Sequence, residues 1–494
     1  MTIKAFSILS AVSIAVASAS AATVGKVICR QQWPWSAKIN VEYILKDVSA
    51  PVDIRVQCFN GEQELSSDLM HNAISGEVFN VASSGVKRFS IDPVKAFGNV
   101  AVDFDNFNVR LTAVDAEADY DEVIYKVFDL TGAPPYKHTD ITRGDLMNGK
   151  YGSYEIDYGC IGNGFNTTLK DVIIWTAVTN GTEYKTDKLV MRKIPAAGVE
   201  WKIGSRIGEL GAPDGGNSRN EVQHTVRLTE DFYMSVFEVT QAQMAKFYST
   251  TDVTCGFAGA EDADVRPVES YRYGSELRGL NDWEAQDGSD SQNEWVYWPT
   301  NAYQHCVRYN RAIGRMRSAL GIKVDLPTSA QWEFACRAGT TNALYSGKEM
   351  TSLNGDCPNV EEIAWTSNSS YSDAPGGVAQ TRPVGLKKPN AFGLYDMAGN
   401  VAEWCLDWFY PDIETFYDDD GNGGKADILH ADPLVDPVGR AMRSDTNNLR
   451  TRRGGSWYNK QGYSRSAFRE GFGYQQSKSY IGIRLVAPAA ADWK

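Results

Sequence analysis

Residues 389–408, P-N-A-F-G-L-Y-D-M-A-G-N-V-A-E-W-C-L-D-W, constrain this chain more than any other stretch. The run has neither the three-to-four spacing of apolar residues that makes a helix nor the alternation that makes a strand, so it is expected to fold as a loop. Gly393 and Gly399 offer positive φ. Asp396, Asn400 and Glu403 are placed to turn oxygens inward, with help from backbone carbonyls, toward a hard cation such as calcium. The same side chains suit hydrogen bonds to the loop's own backbone equally well, and the residues alone leave the two readings even.

The chain around this loop is long enough for two or more domains, and 43% hydrophobic with 11% aromatic residues gives it material for sizeable cores. Its formal charge of -13, with no lysine or arginine cluster, argues against a nucleic-acid surface. Residues 1–22 follow the pattern of a signal peptide: Lys4 supplies the charge, residues 5–16 an apolar core and residues 17–22 small side chains for cleavage. The apolar core is too short to span a bilayer, so the mature chain is expected to be exported (periplasmic, cell-surface or secreted) with no membrane span left after cleavage. Export permits disulfides. The eight cysteines split unevenly, with Cys29, Cys58 and Cys160 early and Cys255, Cys306, Cys336, Cys357 and Cys405 later. Both groups are odd, so one bridge joins them or some thiols stay free.

Residues 23–120 read as an all-β region, a small immunoglobulin-like sandwich. Short runs at 38–45, 52–59, 86–91 and 108–114 are rich in Val, Ile, Tyr and Phe and are separated by Gly, Asn, Asp and Ser. Trp33 and Trp35, beside Pro34, are expected to plug its core. Residues 121–188 form a β-rich extension or connector with a strand-like run at 172–178. Asn166 and Asn180 head glycosylation sequons, a weak signal behind a bacterial-looking signal peptide. Three helices are expected further on: 240–248 with Thr240 as cap, 301–320 stopped by Gly321, and 328–337, where Thr328 and Gln331 make a capping box. His305 falls on the second. The acidic tract 418–423 lacks the alternating ligands and closing glutamate of an EF-hand and reads as a solvated insertion.

The segment G-L-Y-D-M-A-G-N-V-A-E-W within the central run resembles the hallmark of the formylglycine-generating enzyme, or sulfatase-modifying-factor, domain family. Other stretches resemble that family in the right order: I-P-A-A-G-V-E-W-K-I-G-S at 194–205, F-Y-M-S-V-F-E-V-T-Q-A-Q at 232–243, R-P-V-E at 266–269, L-P-T-S-A-Q-W-E-F-A-C-R-A-G at 326–339, R-G-G-S-W at 453–457, R-S-A-F-R at 465–469 and I-G-I-R-L at 481–485. The resemblance runs over residues 189–486, so the domain is taken as 189–494. It implies an α+β, C-type-lectin-like fold with low regular structure and bound calcium. The family's calcium loop maps onto Asp396 and Glu403 as side-chain ligands and onto Gly399 and Val401 as backbone carbonyl ligands. A second calcium site, around 359–373, does not match cleanly.

The family's oxidases bind copper(I) through two cysteines in the segment after G-G-S and convert a substrate cysteine to formylglycine. Thiolates suit that soft metal. Here no cysteine follows Cys405, so the thiol pair and the copper site are missing. Ser456 keeps the family's active-site serine position, but a serine without a base or metal is a weak nucleophile. The related iron-dependent branch needs a histidine cluster, whereas His71, His138, His224, His305 and His430 are scattered. The favoured expectation is a calcium-stabilised, non-oxidising binding member of the fold. Its old substrate cleft, with Arg453, Ser456, Trp457, Arg465 and Arg469, would take a peptide, glycan or small molecule, because arginines beside an aromatic clamp carboxylates or stack on rings. The same arginines equally suit burial as partners of Asp396 or Glu403. The alternatives are a formylglycine-generating oxidase with a sulfatase as partner, and a structural or surface-assembly protein binding through its N-terminal sandwich.

Overall fold

Alternating apolar residues build the N-terminal strands. Along Ile39–Lys46 the side chains of Ile39, Val41, Tyr43 and Leu45 are buried while their neighbours face outward. Val52, Ile54 and Cys58 repeat the pattern on Val52–Asn60. The computed structural model describes residues 22–31, 38–65, 73–79, 81–97, 107–116, 120–157, 172–213, 220–248, 253–279, 293–295, 306–372, 379–409, 433–437 and 448–489. It divides into two units, Met1–Ile124 with Ile141–Ile156 and Trp175–Ala177, and Tyr125–Asp140 with Asp157–Ile174 and Val178–Lys494. Of the described residues in 121–188, the second unit therefore holds 125–140, 157, 172–174 and 178–188.

In the first unit, one antiparallel sheet takes the order Thr23–Gln31, Ile39–Lys46, Gly85–Ile91, Ile74–Gly76, and a second the order Gln63–Glu64, Val52–Asn60, Phe107–Asp115. One apolar core lies between them, with Val41, Tyr43 and Phe89 from the first sheet meeting Ile54, Cys58 and Leu111 from the second. Each such side chain fully buried contributes about 1.5–3 kcal/mol.

The second unit is α+β. Strands Val123–Asp129, Lys188–Ile194, Phe232–Ser235 and Val486–Pro488 lie in a five-stranded sheet closed by His138–Thr142. A four-stranded sheet runs Arg469–Gly473, Leu449–Arg453, Ala402–Trp408, Ile481–Gly482. Thr240 caps helix Gln241–Phe247 and Thr328 caps helix Ser329–Arg337, each closing a capping box with the Gln three residues on. Two cores result, one around Trp332 and Phe392 and one around Trp404 and Met316. Among the described residues no helix is long and apolar enough to cross a membrane.

Three sequence expectations change. The loop reading of 389–408 holds only to Val401, because Ala402–Trp408 is a strand with all seven residues buried. It pairs on both edges, so it needs no alternation. The expected helix at 301–320 is a strand, Cys306–Arg308, followed by a shorter helix, Ala312–Leu320, that Gly321 ends in the left-handed conformation. Apolar spacing merged the two elements, and Cys306 is a strand residue, not a helical one. The run at 172–178 is a strand only over Val172–Ile174 and turns into a short 3₁₀ segment at Thr176–Thr179. The signal peptide before Ala22, Trp33, Trp35, His71, Cys160, Asn166, His305, the acidic tract 418–423 and His430 lie outside the described residues.

Candidate ligand face and cation loop

Asn390 organises the central loop. Its Oδ1 accepts from the backbone N–H groups of Phe392 and Leu394, each at 3.0 Å, and its Nδ2 donates to the carbonyls of Ala335 (2.6 Å) and Cys336 (3.0 Å). All four hydrogen-bonding positions of the amide are used, which ties the loop to the end of helix Ser329–Arg337. Gly399 has φ +77°, and a Cβ there would meet the backbone oxygen of Trp365 at 2.4 Å. Asp396 and Asn400 also take positive φ, 56° and 53°, a conformation that Asp and Asn tolerate better than most residues.

These turns aim carboxylates into the protein. Glu238, Asp396 and Glu403 are all buried. Glu238 accepts from Val401 N (3.0 Å) and from Asn400 Nδ2 (2.7 Å). Both oxygens of Glu403 face Arg484, at 2.8–3.1 Å, and Oε2 also accepts from Trp332 Nε1 at 2.6 Å. Asp396 Oδ2 accepts from Gly385 N at 2.6 Å, while its Oδ1 is buried with no hydrogen-bond partner. Burial first, then the carboxylates of Asp396 and Glu403, pushes the Glu238 carboxyl well above its usual range. Burial likewise raises Asp396 to about 6. The buried Asp396 Oδ1, which has no hydrogen-bond partner, is an oxygen that a cation would suit, although the Arg484 and Lys185 charges already lie near it. Glu403 does not fit as arranged, because Arg484 and Trp332 occupy its oxygens. Among the described residues no three His, Cys, Asp or Glu side chains converge on one metal position. Gly399 and Val401 belong to the same turn and would offer only carbonyls.

Four of the five expected cleft residues are buried. Arg453 donates to Glu333 Oε2 (2.8 Å), Ser329 Oγ (2.9 Å) and Ala467 O (2.9 Å). Arg465 grips Glu221 with two nitrogens, at 2.6 and 3.1 Å, and reaches Glu209 at 3.2 Å. Arg469 lies over the Phe409 ring. Ser456 donates to Asn459 Oδ1 at 2.5 Å and accepts from Tyr458 N at 3.3 Å, so it caps its own turn. Arg453 and Arg465 are thus internal partners of carboxylates, but of Glu333, Glu221 and Glu209, not of Asp396 or Glu403, while Arg469 reaches the carbonyl of Asn220.

Trp457 is only half-buried, and it belongs to an aromatic row at the surface. Phe257 meets it edge-on at 5.4 Å and Tyr458 at 5.7 Å. Tyr458, 60% exposed, stacks on Tyr480 with ring centroids 4.9 Å apart and planes 8° apart. Arg452 lies over the other ring of that pair, 5.3 Å from the Tyr480 centroid. The sequence reading missed Tyr458 and Tyr480 as surface groups, as well as Glu238 and Arg484. The resemblances at 232–243 and 481–485 held the last two without revealing their roles.

The thiols sit elsewhere. Cys336, Cys357 and Cys405 are buried, and burial pushes Cys336 up to about 12 and Cys405 well above the ordinary thiol range. Cys255 is half-buried, raised to about 11 mainly by burial, and donates to the Glu269 carbonyl.

A domain with this cap-and-loop order and this ring of buried Arg–carboxylate pairs matches the sulfatase-modifying factor enzyme 1-like domain over residues 196–489, and the chain belongs to that family. A formylglycine-generating enzyme of Streptomyces coelicolor is 32% identical over 275 residues, covering 53% of this chain and 76% of the relative. A protein of Paenibacillus barcinonensis named chaperone protein LppX is 30% identical over 205 residues, covering 36% of this chain and 62% of the relative. Among solved structures, Treponema denticola variable protein 1 is similar at 23% identity and a TM-score of 0.39, covering 61% of this chain and 95% of the other.

Proposed function

We propose that this chain is a non-oxidising, ligand-binding member of the sulfatase-modifying-factor family, exported and stabilised by calcium. The observation that carries this reading is that the segment after Gly454-Gly455-Ser456 displays aromatic rings and contains no thiol. Copper(I) oxidation needs soft thiolate ligands. Burial keeps the protons on Cys336 and Cys405, whereas Cys357 is lowered against its burial by hydrogen bonds from Thr351 and is a single thiol, not a pair. The row of Trp457, Tyr458 and Tyr480 is the face we assign to a peptide, glycan or small-molecule ligand, since exposed aromatic rings carry contact area at low entropic cost.

The opposing reading, an oxidase acting on a sulfatase cysteine, is favoured by the 32% identity to the Streptomyces coelicolor enzyme. Incubating the mature chain with copper(I), calcium, oxygen and a Cys-x-Pro-x-Arg peptide, followed by mass spectrometry, separates the two. No conversion by folded protein is expected, and conversion above a no-protein control refutes the proposal. For calcium, the proposed ligands are Asp396 Oδ1 and carbonyls of its loop. Calcium is expected to raise the melting temperature, chelator to reverse the rise, and Asp396→Asn to abolish the response. An unchanged response in Asp396→Asn places the ion elsewhere.

A further inference from the structure

The outer face of the first sheet carries a groove that the proposed function does not use. Along Ile39–Lys46 the inward set is Ile39, Val41, Tyr43 and Leu45, so Asn40 and Glu42 point away from the core. The strand register lines such outward residues up across the sheet. Arg30 stands opposite Asn40, Asn40 opposite Ser90, and Ser90 opposite Ser75. One row of a guanidinium, an amide and two hydroxyls therefore crosses all four strands. At the usual spacing between strands it is about 14 Å from end to end. A second row, two residues along, holds Ile28, Glu42 and Arg88. These rows line a groove of about 390 Å³, a volume within the range of small-molecule sites.

The groups in the groove differ in what they have left to offer. Glu42 Oε2 accepts from Arg88 Nε at 3.1 Å and from its Nη2 at 3.0 Å, so that pair is neutral as a unit. Ser75 and Ser90 share a hydrogen bond of 3.0 Å, and each hydroxyl keeps capacity for another. Arg30 is exposed and makes no ion pair or side-chain hydrogen bond with another described residue. Among the described residues the groove thus holds one uncommitted positive charge, in a chain of net charge -13.

We propose that this groove binds a sugar bearing one carboxylate, a uronic acid, with the carboxylate on Arg30 and sugar hydroxyls on Asn40, Ser75 and Ser90. A guanidinium takes both oxygens of a carboxylate side by side. Amide and hydroxyl side chains donate and accept at once, as a run of sugar hydroxyls does. Glu42 limits the charge of the ligand. It can accept from a hydroxyl, but it repels a second anionic group, which selects against phosphate chains and sulfated polymers. The site belongs wholly to the first unit and does not rest on the aromatic row of the second.

The test is isothermal titration calorimetry on the full chain. The probes are the disaccharides of glucuronic, galacturonic and mannuronic acid, each beside the neutral disaccharide of glucose, galactose or mannose, with inorganic pyrophosphate as a polyanion. At least one acidic disaccharide is expected to bind roughly tenfold or more tightly than its neutral counterpart, the effect of a hydrogen bond to a charged group. Arg30→Ala is expected to remove that preference. Lys26→Ala takes an exposed cation from the same strand outside the groove and should leave it. Tyr458→Ala should leave it too, so this site and the aromatic face succeed or fail separately. An unchanged melting temperature in Arg30→Ala checks that the exposed substitution has not unfolded the sheet. The proposal is overturned if none of the three acidic disaccharides binds, or if acidic and neutral sugars bind equally. A preference that survives Arg30→Ala, or tighter binding of pyrophosphate, overturns it as well.

Discussion

Arg484→Met removes a guanidinium on which three segments of the second unit converge. Its Nε and Nη2 hold Glu403, its Nη1 donates to the carbonyls of Ser235 (2.8 Å) and Val236 (3.0 Å), and its Nη2 also reaches Tyr395 O at 2.7 Å. All five donors are used. Methionine fills similar volume but leaves Glu403 buried with only Trp332 as donor, close to Glu238 and Asp396. Breaking a buried pair from one side costs about 3–5 kcal/mol. Arg484→Lys keeps a charge but has three donors on a flexible stem, and it is expected to cost about 2 kcal/mol. Tryptophan emission reports the loss in a urea titration, because Trp332 and Trp404 are fully buried in the unit. Roughly a 1–2 M drop in midpoint is expected for Met and about half that for Lys. A midpoint for Arg484→Met within about 0.3 M of wild type would refute the reasoning, as would a lysine variant no better than methionine.

Three further outcomes follow from local geometry. Burial raises Asp407 to about 7, above the ordinary 3.8, so the folded state holds a proton that the unfolded state releases, and stability falls as pH rises from about 4 through 7. Asp407→Asn is expected to flatten the melting temperature between pH 5 and 8, and a variant that keeps the wild-type slope would show that another group sets it. Gly399→Ala forces a Cβ into the Trp365 backbone at positive φ and is expected to cost at least about 2 kcal/mol, read as a lowered urea midpoint. Thr328→Ala removes the oxygen that caps Gln331 N at 3.1 Å, and about 1 kcal/mol should be lost in the same titration.

Local features of this fold could be read directly. Strands such as Ile39–Lys46 and Val52–Asn60 keep one face in a core, so their alternation is visible in the residues, and the Thr328–Gln331 box marks its helix start within four positions. Ala402–Trp408 was not legible, since burial on both faces erases alternation and leaves an apolar run with acids in it. Nor was the destination of the acids. Glu403 finds Arg484 81 residues on, and Glu333 finds Arg453 120 residues on, distances at which spacing carries no signal. The expected site residues Arg453 and Arg465 stood out by their place in family motifs, and both are buried in ion pairs. Their chemistry did not stand out, because an arginine in a motif looks the same whether it meets a ligand or a buried glutamate.

That distinction bears on how a domain of this family can lose its thiols and keep its shape. The interior of the second unit is crossed by Arg–carboxylate pairs: Glu403 with Arg484, Glu333 with Arg453 and Arg337, Glu221 and Glu209 with Arg465, and Asp325 with Arg278 and Arg317. Such pairs contribute little net stability against apolar side chains of the same volume, but each is costly to break and accepts only one geometry. They therefore fix the register of loops that regular structure does not hold. Trp457, Tyr458 and Tyr480 contribute no side chain to any of these pairs, and the exposed Tyr458 ring can be exchanged without disturbing the frame. Motifs that record the buried pairs report the fold. The aromatic row lies outside those pairs, so membership of the family does not by itself decide which chemistry or ligand a given chain carries.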